Sequence, residues 1–373
     1  MAESVVFQPI VSRPPPLSET GLWHWARERL FGSVTNSLVT LICIYILYLL
    51  IPPMLSWAVF NANISGTDRS VCAANPGGAC WTFIKVRFVQ IIFGLHFGQH
   101  PEEVWRPVLG FAMLAGLFAW LLVPRTPYKV QVGLFTLFGF PFIAYALIQG
   151  EWLGLPIAPT NEWGGFLLTF TLASVGMVFA LPLGIILALG RRSNLPIIRA
   201  ISIAYIELWR GAPLITVLFM ASVMLPLFFS HEIDLNKVVR AMIGISLFQS
   251  AYMAEAVRGG LQAIPRGQYE AADSLGLGYW KKMGLIILPQ SLKISIPSIV
   301  NTYMTLFKDT SLVAIIGLLD LLNMAQTASR SLEWKGYDFE AYVFAASIYW
   351  VCTYSMSRYS QHIERKLDTS KRG

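Results

Sequence analysis

Charge is what this sequence is short of. Lys, Arg, Asp and Glu make up 13% of its 373 residues, about half of what an ordinary soluble surface carries. There is no Gly-x-x-x-x-Gly-Lys-Ser/Thr stretch, which excludes a P-loop and any ATP site of that kind on this chain. His24, His96, His100, His231 and His362 are scattered without metal-ligand spacing, and no Cys-x-x-Cys pair exists. No Ser/His/Asp set and no paired carboxylates stand out, so nothing marks the chain as a catalyst by itself. No basic stripe is interleaved with aromatics, which excludes nucleic acid as a partner and turns the net charge of +7 into a topology signal. Internal repeats are absent, and the one low-complexity tract is Pro14-Pro15-Pro16.

What the chain has instead is 55% apolar residues, in runs long enough to cross a hydrocarbon core about 30 Å thick. The first 36 residues are polar and carry Arg13, Arg27 and Arg29. They are too long, and lack the small-residue cleavage pattern, for a secretory leader. Residues 37–57 form a first span, and a long loop over 58–106 follows. Within that loop the apolar stretch 88–98 is too short to cross and is expected to be interfacial or re-entrant. Further spans are expected at 107–123, 130–149, 165–189, 214–229, 238–257, 294–322 and 341–358. The fold class is therefore an all-α membrane protein of about eight transmembrane helices, with a five-helix core on the C-terminal side. If the loop around Glu270 is cytoplasmic, inside segments hold 18 of the 28 Lys and Arg and outside segments 7; Arg210, Arg240 and Lys308 fall at span edges or within a span. That satisfies the positive-inside rule with both termini cytoplasmic. Cys72 and Cys80 then flank a Gly/Pro-rich turn on the oxidising side and are expected to pair, whereas Cys43 and Cys352 sit in apolar runs as packing residues.

The one polar interval in the C-terminal half runs over 270–289. Pro265 and Gly267 should end the preceding helix, Glu270-Ala271-Ala272 should start a short one, and Gly276 and Gly278 offer left-handed stops. The two Ala side chains leave room for another surface. Together with Ile286 and Leu288-Pro289, this string resembles the signature loop of ABC-importer permease subunits. Glu207-Leu208-Trp209-Arg210-Gly211-Ala212-Pro213, Glu255-Ala256-Val257-Arg258-Gly259-Gly260 and Lys308-Asp309-Thr310-Ser311-Leu312 are similar to the polar amino-acid uptake branch, the histidine/glutamine permease type. The resemblance covers roughly residues 163–366, and the spans before it resemble the general L-amino-acid permease subunit M subgroup.

The resemblance implies a cytoplasmic tail (1–36), an added three-span region (37–163) with a periplasmic loop (58–106), and a permease core (164–366) followed by a short tail (367–373). It implies a coupling helix near 266–282, with Arg266, Glu270, Ala271, Ala272, Leu275 and Gly276 docking on an ATPase subunit. It also implies an inner-membrane permease for L-amino acids that binds no cofactor itself. Its partners would be membrane lipid, a second permease subunit in a heterodimer, two ATPase subunits holding ATP and Mg, and a periplasmic amino-acid-binding protein.

The run 294–322 is long for one span and holds Lys308, Asp309, Thr310 and Ser311 near its middle. Charge at that depth needs a partner or a wet cavity. One reading is a broken helix facing a substrate path, with Gln249 and Thr169 as weaker path candidates. The other is a buried Lys–Asp network joining subunits. Glu255 with Arg258, and Glu207 with Arg210, have the spacing of local i,i+3 ion pairs. A stand-alone ion-coupled transporter is the rival function; it needs buried acids in several spans, and only Asp309 and Glu255 qualify.

Overall fold

The computed structural model describes residues 21–123, 125–228 and 235–367; Arg13, Pro14-Pro15-Pro16, Pro124, His231 and the tail after 367 lie outside the described residues. The chain divides into two compact units, Met1–Ser65 with Ser70–Cys80, and Gly66–Arg69 with Trp81–Gly373.

In the first unit α1 (Leu22–Leu30) precedes α2 (Val34–Leu55). Ser33 caps α2 by accepting from the Asn36 amide at 3.1 Å. No side chain of α2 is buried within the chain; a helix apolar all round suits lipid. After α3 (Ser70–Ala74), Cys72 is disulfide-bonded to Cys80, with Cα atoms 5.6 Å apart. Asn63 and Asn75 brace this loop by donating to the Asn75 and Asn61 carbonyls at 3.1 and 3.0 Å.

The second unit opens with α4 (Trp81–Phe93) and α5 (Leu95–Gln99), broken at Gly94. These cover the stretch expected to be interfacial or re-entrant. Their apolar side chains Ile91, Phe93 and Phe97 are buried in protein, and the last two pack with Ile148, Trp163 and Leu167. An ionic knot holds the same region: buried His96 faces Glu103 at 3.0 Å and Glu162 at 3.4 Å, and Arg106 meets Glu103 at 3.1 Å. Next come α6 (Trp105–Leu122), α7 (Lys129–Leu134) and α8 (Phe140–Gln149), the last two joined through one π-helical turn, and then α9 (Gly165–Arg191). Gly165 starts α9 at φ +62, and a Cβ there would strike the Ile91 backbone carbonyl. Only glycine lets α4 lie this close to α9.

After α9 follow α10 (Pro196–Gly211), α11 (Leu214–Val223), α12 (Lys237–Ala263), α13 (Arg266–Ser274), α14 (Tyr279–Lys282), α15 (Leu288–Asp309), β1 (Leu319–Asp320), α16 (Leu321–Ser329) and α17 (Asp338–Leu367). The core forms where α9 meets α12. Ala173, Gly176, Ala180, Gly184 and Ala188 are all buried on one face of α9, and such a row of small residues lets helix backbones approach. One apolar cluster there joins Leu172, Val217, Ile245 and Val313; another joins Ala180, Ile206, Met253, Leu261 and Ile287.

The span layout differs from expectation in three places. Among the described residues, five helical segments are long and apolar enough to cross a membrane: Val34–Phe60, Pro101–Leu122, Lys129–Gln149, Gly165–Arg191 and Tyr279–Ile316. A sixth counts if Pro196–Gly211 and Leu214–Val223, bent by 104°, act as one, so five or six of the eight expected spans meet this measure of length and composition among the described residues. The helices α12 and α17 have the length, 27 and 30 residues, but carry too many polar groups, among them Arg240, Gln249, Glu255 and Arg258 on α12. Secondly, the α-helical part of the span expected at 214–229 is α11, 10 residues or about 15 Å, half a core thickness; a 3-10 turn, Leu225–Phe228, follows, and residue 229 lies outside the described residues. Pro213 has no amide hydrogen to continue α10, and the chain bends there. Thirdly, α15 belongs to a helical run starting at Tyr279. Asp309 is its last α-helical residue and not its middle.

Candidate functional site

At the foot of α12 the chain extends through Ile264 and Pro265 and then turns into α13. The short helix begins at Arg266, four residues before the expected start, because Pro265 precedes it as the cap and Gly267 falls in the first turn, whose amides are unpaired in any helix. Its end is as expected at Gly276, which sits at φ +70. The Leu277 amide donates to the Ala272 carbonyl at 3.2 Å and the Gly276 amide to Asp273 at 2.9 Å, the paired bonds of a Schellman cap. Gly278 is not a left-handed stop; at φ −63 it caps α14.

Two faces of α13 differ. Ala272 is 1% exposed, so only one of the two alanines is open to another surface. Tyr269 also turns inward, and Asp273 pairs with Lys282 at 2.5 Å. Outward stand Arg266, Glu270 and Ala271, all exposed, and Leu275, 75% exposed. Arg266 and Glu270 make no side-chain ion pair or hydrogen bond among the described residues.

Next to α13, the ends of α9, α10 and α12 are joined by charge. Glu255 takes Arg258 at 2.6 Å, Arg191 at 3.1 Å and Arg210 at 3.7 Å, while Glu207 takes Arg191 at 2.9 Å. The Glu255–Arg258 pair has the expected local form. The Glu207–Arg210 pair does not form: each residue reaches a different helix, since α10 packs between α9 and α12 and offers both side chains an opposite charge there. The Arg210 guanidinium also lies 5.7 Å from the centre of the Tyr252 ring, within cation–π range.

Near Lys308 the helix tightens and does not bend apart: the run from Tyr279 continues to Ile316. The α-helix gives way at Thr310 to a 3-10 segment, Thr310–Ile316. Lys308 is exposed and Asp309 half-buried, and neither side chain makes a hydrogen bond among the described residues. Thr310 is buried, its hydroxyl donating to the Phe307 carbonyl at 2.8 Å. Ser311 accepts at its carbonyl from Asn323 at 3.1 Å. The two remaining candidates are engaged elsewhere: Gln249 donates to the Thr302 carbonyl at 2.8 Å, and the Thr169 hydroxyl accepts from the Leu321 amide at 2.9 Å.

Sequence reasoning missed a buried polar knot behind this segment. Asp320 is 0% exposed. It accepts from the Tyr349 hydroxyl at 2.8 Å, from the Leu322 and Asn323 amides at 3.2 Å each, and from the Asn323 side chain. Asp320 was legible as a helix cap, an Asp just before an apolar helical run; Tyr349 carried no signal.

A family model described as "Binding-protein-dependent transport system inner membrane component" matches residues 180–369, half of the chain. The sequence is 49% identical over 364 residues to the inner membrane amino-acid ABC transporter permease protein YhdY of Escherichia coli (strain K12), 96% of each chain being covered. It is 38% identical over 424 residues to the glutamate/glutamine/aspartate/asparagine transport system permease protein BztC of Rhodobacter capsulatus, covering 97% of this chain and 98% of that one. A solved structure described as "Crystal structure of an amino acid ABC transporter with histidines" is 30% identical, covers 54% of this chain and 91% of its own, and has a TM-score of 0.48. The family model starts at residue 180, whereas the first two relatives also match the region before it.

Proposed function

The chain belongs to the family of binding-protein-dependent transport system inner membrane components, and on that premise we propose that it is the permease subunit through which a bacterial ABC importer moves L-amino acids across the inner membrane. Membership takes the place of the ion-coupled alternative. Energy comes from outside the chain: two ATPase subunits bind ATP and Mg on the cytoplasmic side, a periplasmic binding protein delivers the amino acid, and a second permease subunit completes the pathway. Both termini lie in the cytoplasm, and residues 37–163 form a region added to the core over 164–366.

The observation that carries the reading is the outward face of α13. Arg266, Glu270, Ala271 and Leu275 offer two charges, a flat Ala and an apolar knob, all exposed, and their side chains make no ion pair or hydrogen bond among the described residues. Such a face docks in a groove of the ATPase subunit, Ala271 permitting close approach and Gly276 ending the helix so that Leu275 stays exposed. ATP binding draws the ATPase subunits together, α13 follows, and the helices above it alternate the cavity between the two sides. Within that cavity Asp309 takes the amino acid's ammonium group. The Ser311 hydroxyl serves its carboxylate. The Thr310 hydroxyl is turned to the Phe307 carbonyl and braces the segment.

Glu270→Lys tests the docking face, because a reversed charge cannot reuse the partner's basic or amide contacts. The expected outcome is loss of ATPase subunits on purification, or loss of ATP-driven uptake with the subunits still bound. Parental uptake and parental co-purification together would exclude the assignment.

A further inference from the structure

We infer that Arg192 is a positioning residue that passes the displacement of α13 to the membrane helices, an inference that rests on the docking reading of α13. Between α12 and α13 the chain is extended at Ile264 and Pro265, and a proline lacks the amide that would continue the helical ladder. The backbone alone therefore leaves α13 loosely joined to α12. Something else must make the two move together.

Arg192 supplies that connection. It caps the C-terminus of α9, and its Nη1 donates both to the Leu261 carbonyl of α12 at 2.9 Å and to the Tyr269 hydroxyl of α13 at 3.0 Å. The guanidinium lies 5.5 Å from the centre of the Tyr269 ring, and the Tyr269 hydroxyl itself donates to the Leu261 carbonyl at 3.3 Å. Leu261 is in the last turn of α12, where carbonyls have no intrahelical partner. One side chain thus closes a triangle on α9, α12 and α13, using an acceptor the helix end leaves free.

Its neighbour Arg191 faces the other way, bonding Glu207 of α10 at 2.9 Å and Glu255 of α12 at 3.1 Å. Two adjacent arginines at the end of α9 therefore bond three other helices, α10, α12 and α13. On its other side α13 is held by Asp273 to Lys282 and by Gln268, which accepts from Gln290 at 3.2 Å; those contacts lead to α14 and α15. Among the described residues, Arg192 is the polar contact leading from α13 to α9. With it removed, the Tyr269–Leu261 bond still ties α13 to the foot of α12, but α13 would shift without the polar link that carries α9 and, through Arg191, α10.

The test uses the reconstituted complex of this chain with its second permease subunit, ATPase subunits and binding protein in liposomes. A mixed radiolabelled pool of L-amino acids is the probe. Arg192→Met keeps the unbranched stem and removes every donor; Tyr269→Phe removes one oxygen. The expected result is retained ATPase subunits with amino acids imported per ATP hydrolysed falling about tenfold in Arg192→Met and about threefold in Tyr269→Phe. A parental ratio in Arg192→Met overturns the inference. So does a proportional fall in hydrolysis and import, which is what a merely structural role predicts. If Arg192→Met does not assemble, Tyr269→Phe decides alone, and a parental ratio there overturns the inference. Failure of the docking reading has a separate signature, Glu270→Lys behaving as parent.

Discussion

Asp309 is the only carboxylate on α15, and it stands half-buried without a hydrogen bond among the described residues. A buried Lys–Asp network within this chain would have shown a partner for it; the neighbouring Lys308 is exposed instead. In the proposed function the substrate's ammonium is the cation that meets Asp309; in the rival reading it is a cation of a neighbouring subunit. Asp309→Asn keeps size and hydrogen bonding but removes the charge, and a charge-assisted bond contributes about 1.5–3 kcal/mol, or about ten- to a hundredfold in affinity. Reconstituted Asp309→Asn complex is expected to assemble like parent in size-exclusion chromatography while its uptake falls at low amino-acid concentration. Assembly failure would point to a pair with a neighbouring subunit, since breaking a buried pair costs about 3–5 kcal/mol. Glu255 is the contrasting case, its side chain 16% exposed and shared by three guanidiniums; it is already spent on holding helices.

Among the elements α13 is the most exposed to test, because its end depends on one backbone angle. Gly276 has φ +70 and open space around it, with nothing within 4 Å of where a Cβ would be. A side chain there meets no neighbour, so the penalty is conformational and about 1–2 kcal/mol. Gly276→Val is expected to fray α13, speeding hydrogen exchange at the Gly276 and Leu277 positions and lowering uptake. Gly276→Asn, which tolerates the left-handed region better, should lie between parent and Val. Equal exchange in Val and Asn variants would show that the cap does not control this end.

For the whole molecule the decisive quantity is which side each loop faces. The disulfide between Cys72 and Cys80 closes a short loop, worth about 2.5 kcal/mol on a loop-entropy account, and it persists only in an oxidising compartment. Intact-mass analysis after alkylation without reductant is expected to leave these two cysteines unmodified. After reduction, a membrane-impermeant maleimide applied to spheroplasts should modify both, while Cys43 of α2 and Cys352 of α17 stay protected by lipid and packing. Labelling of Cys72 and Cys80 only in inverted vesicles would reverse the topology, and with it the cytoplasmic placement of α13.

What the sequence determined by itself is what depends on local composition and local backbone freedom. Runs of apolar residues had to become long helices in lipid, the Pro265 interruption had to end α12, and Gly276 had to end α13. None of these needs a distant partner. The inward turn of Ala272, the Asp320–Tyr349 knot and the opposite aims of Arg191 and Arg192 were decided only in the tertiary structure. Glu207 and Arg210 had the spacing of a local pair, yet Arg191 bonds residues 16 and 64 positions away. A charged side chain at a helix end takes whichever opposite charge the packing brings within reach, and in this chain the close approach of α9 to α12 sets that distance.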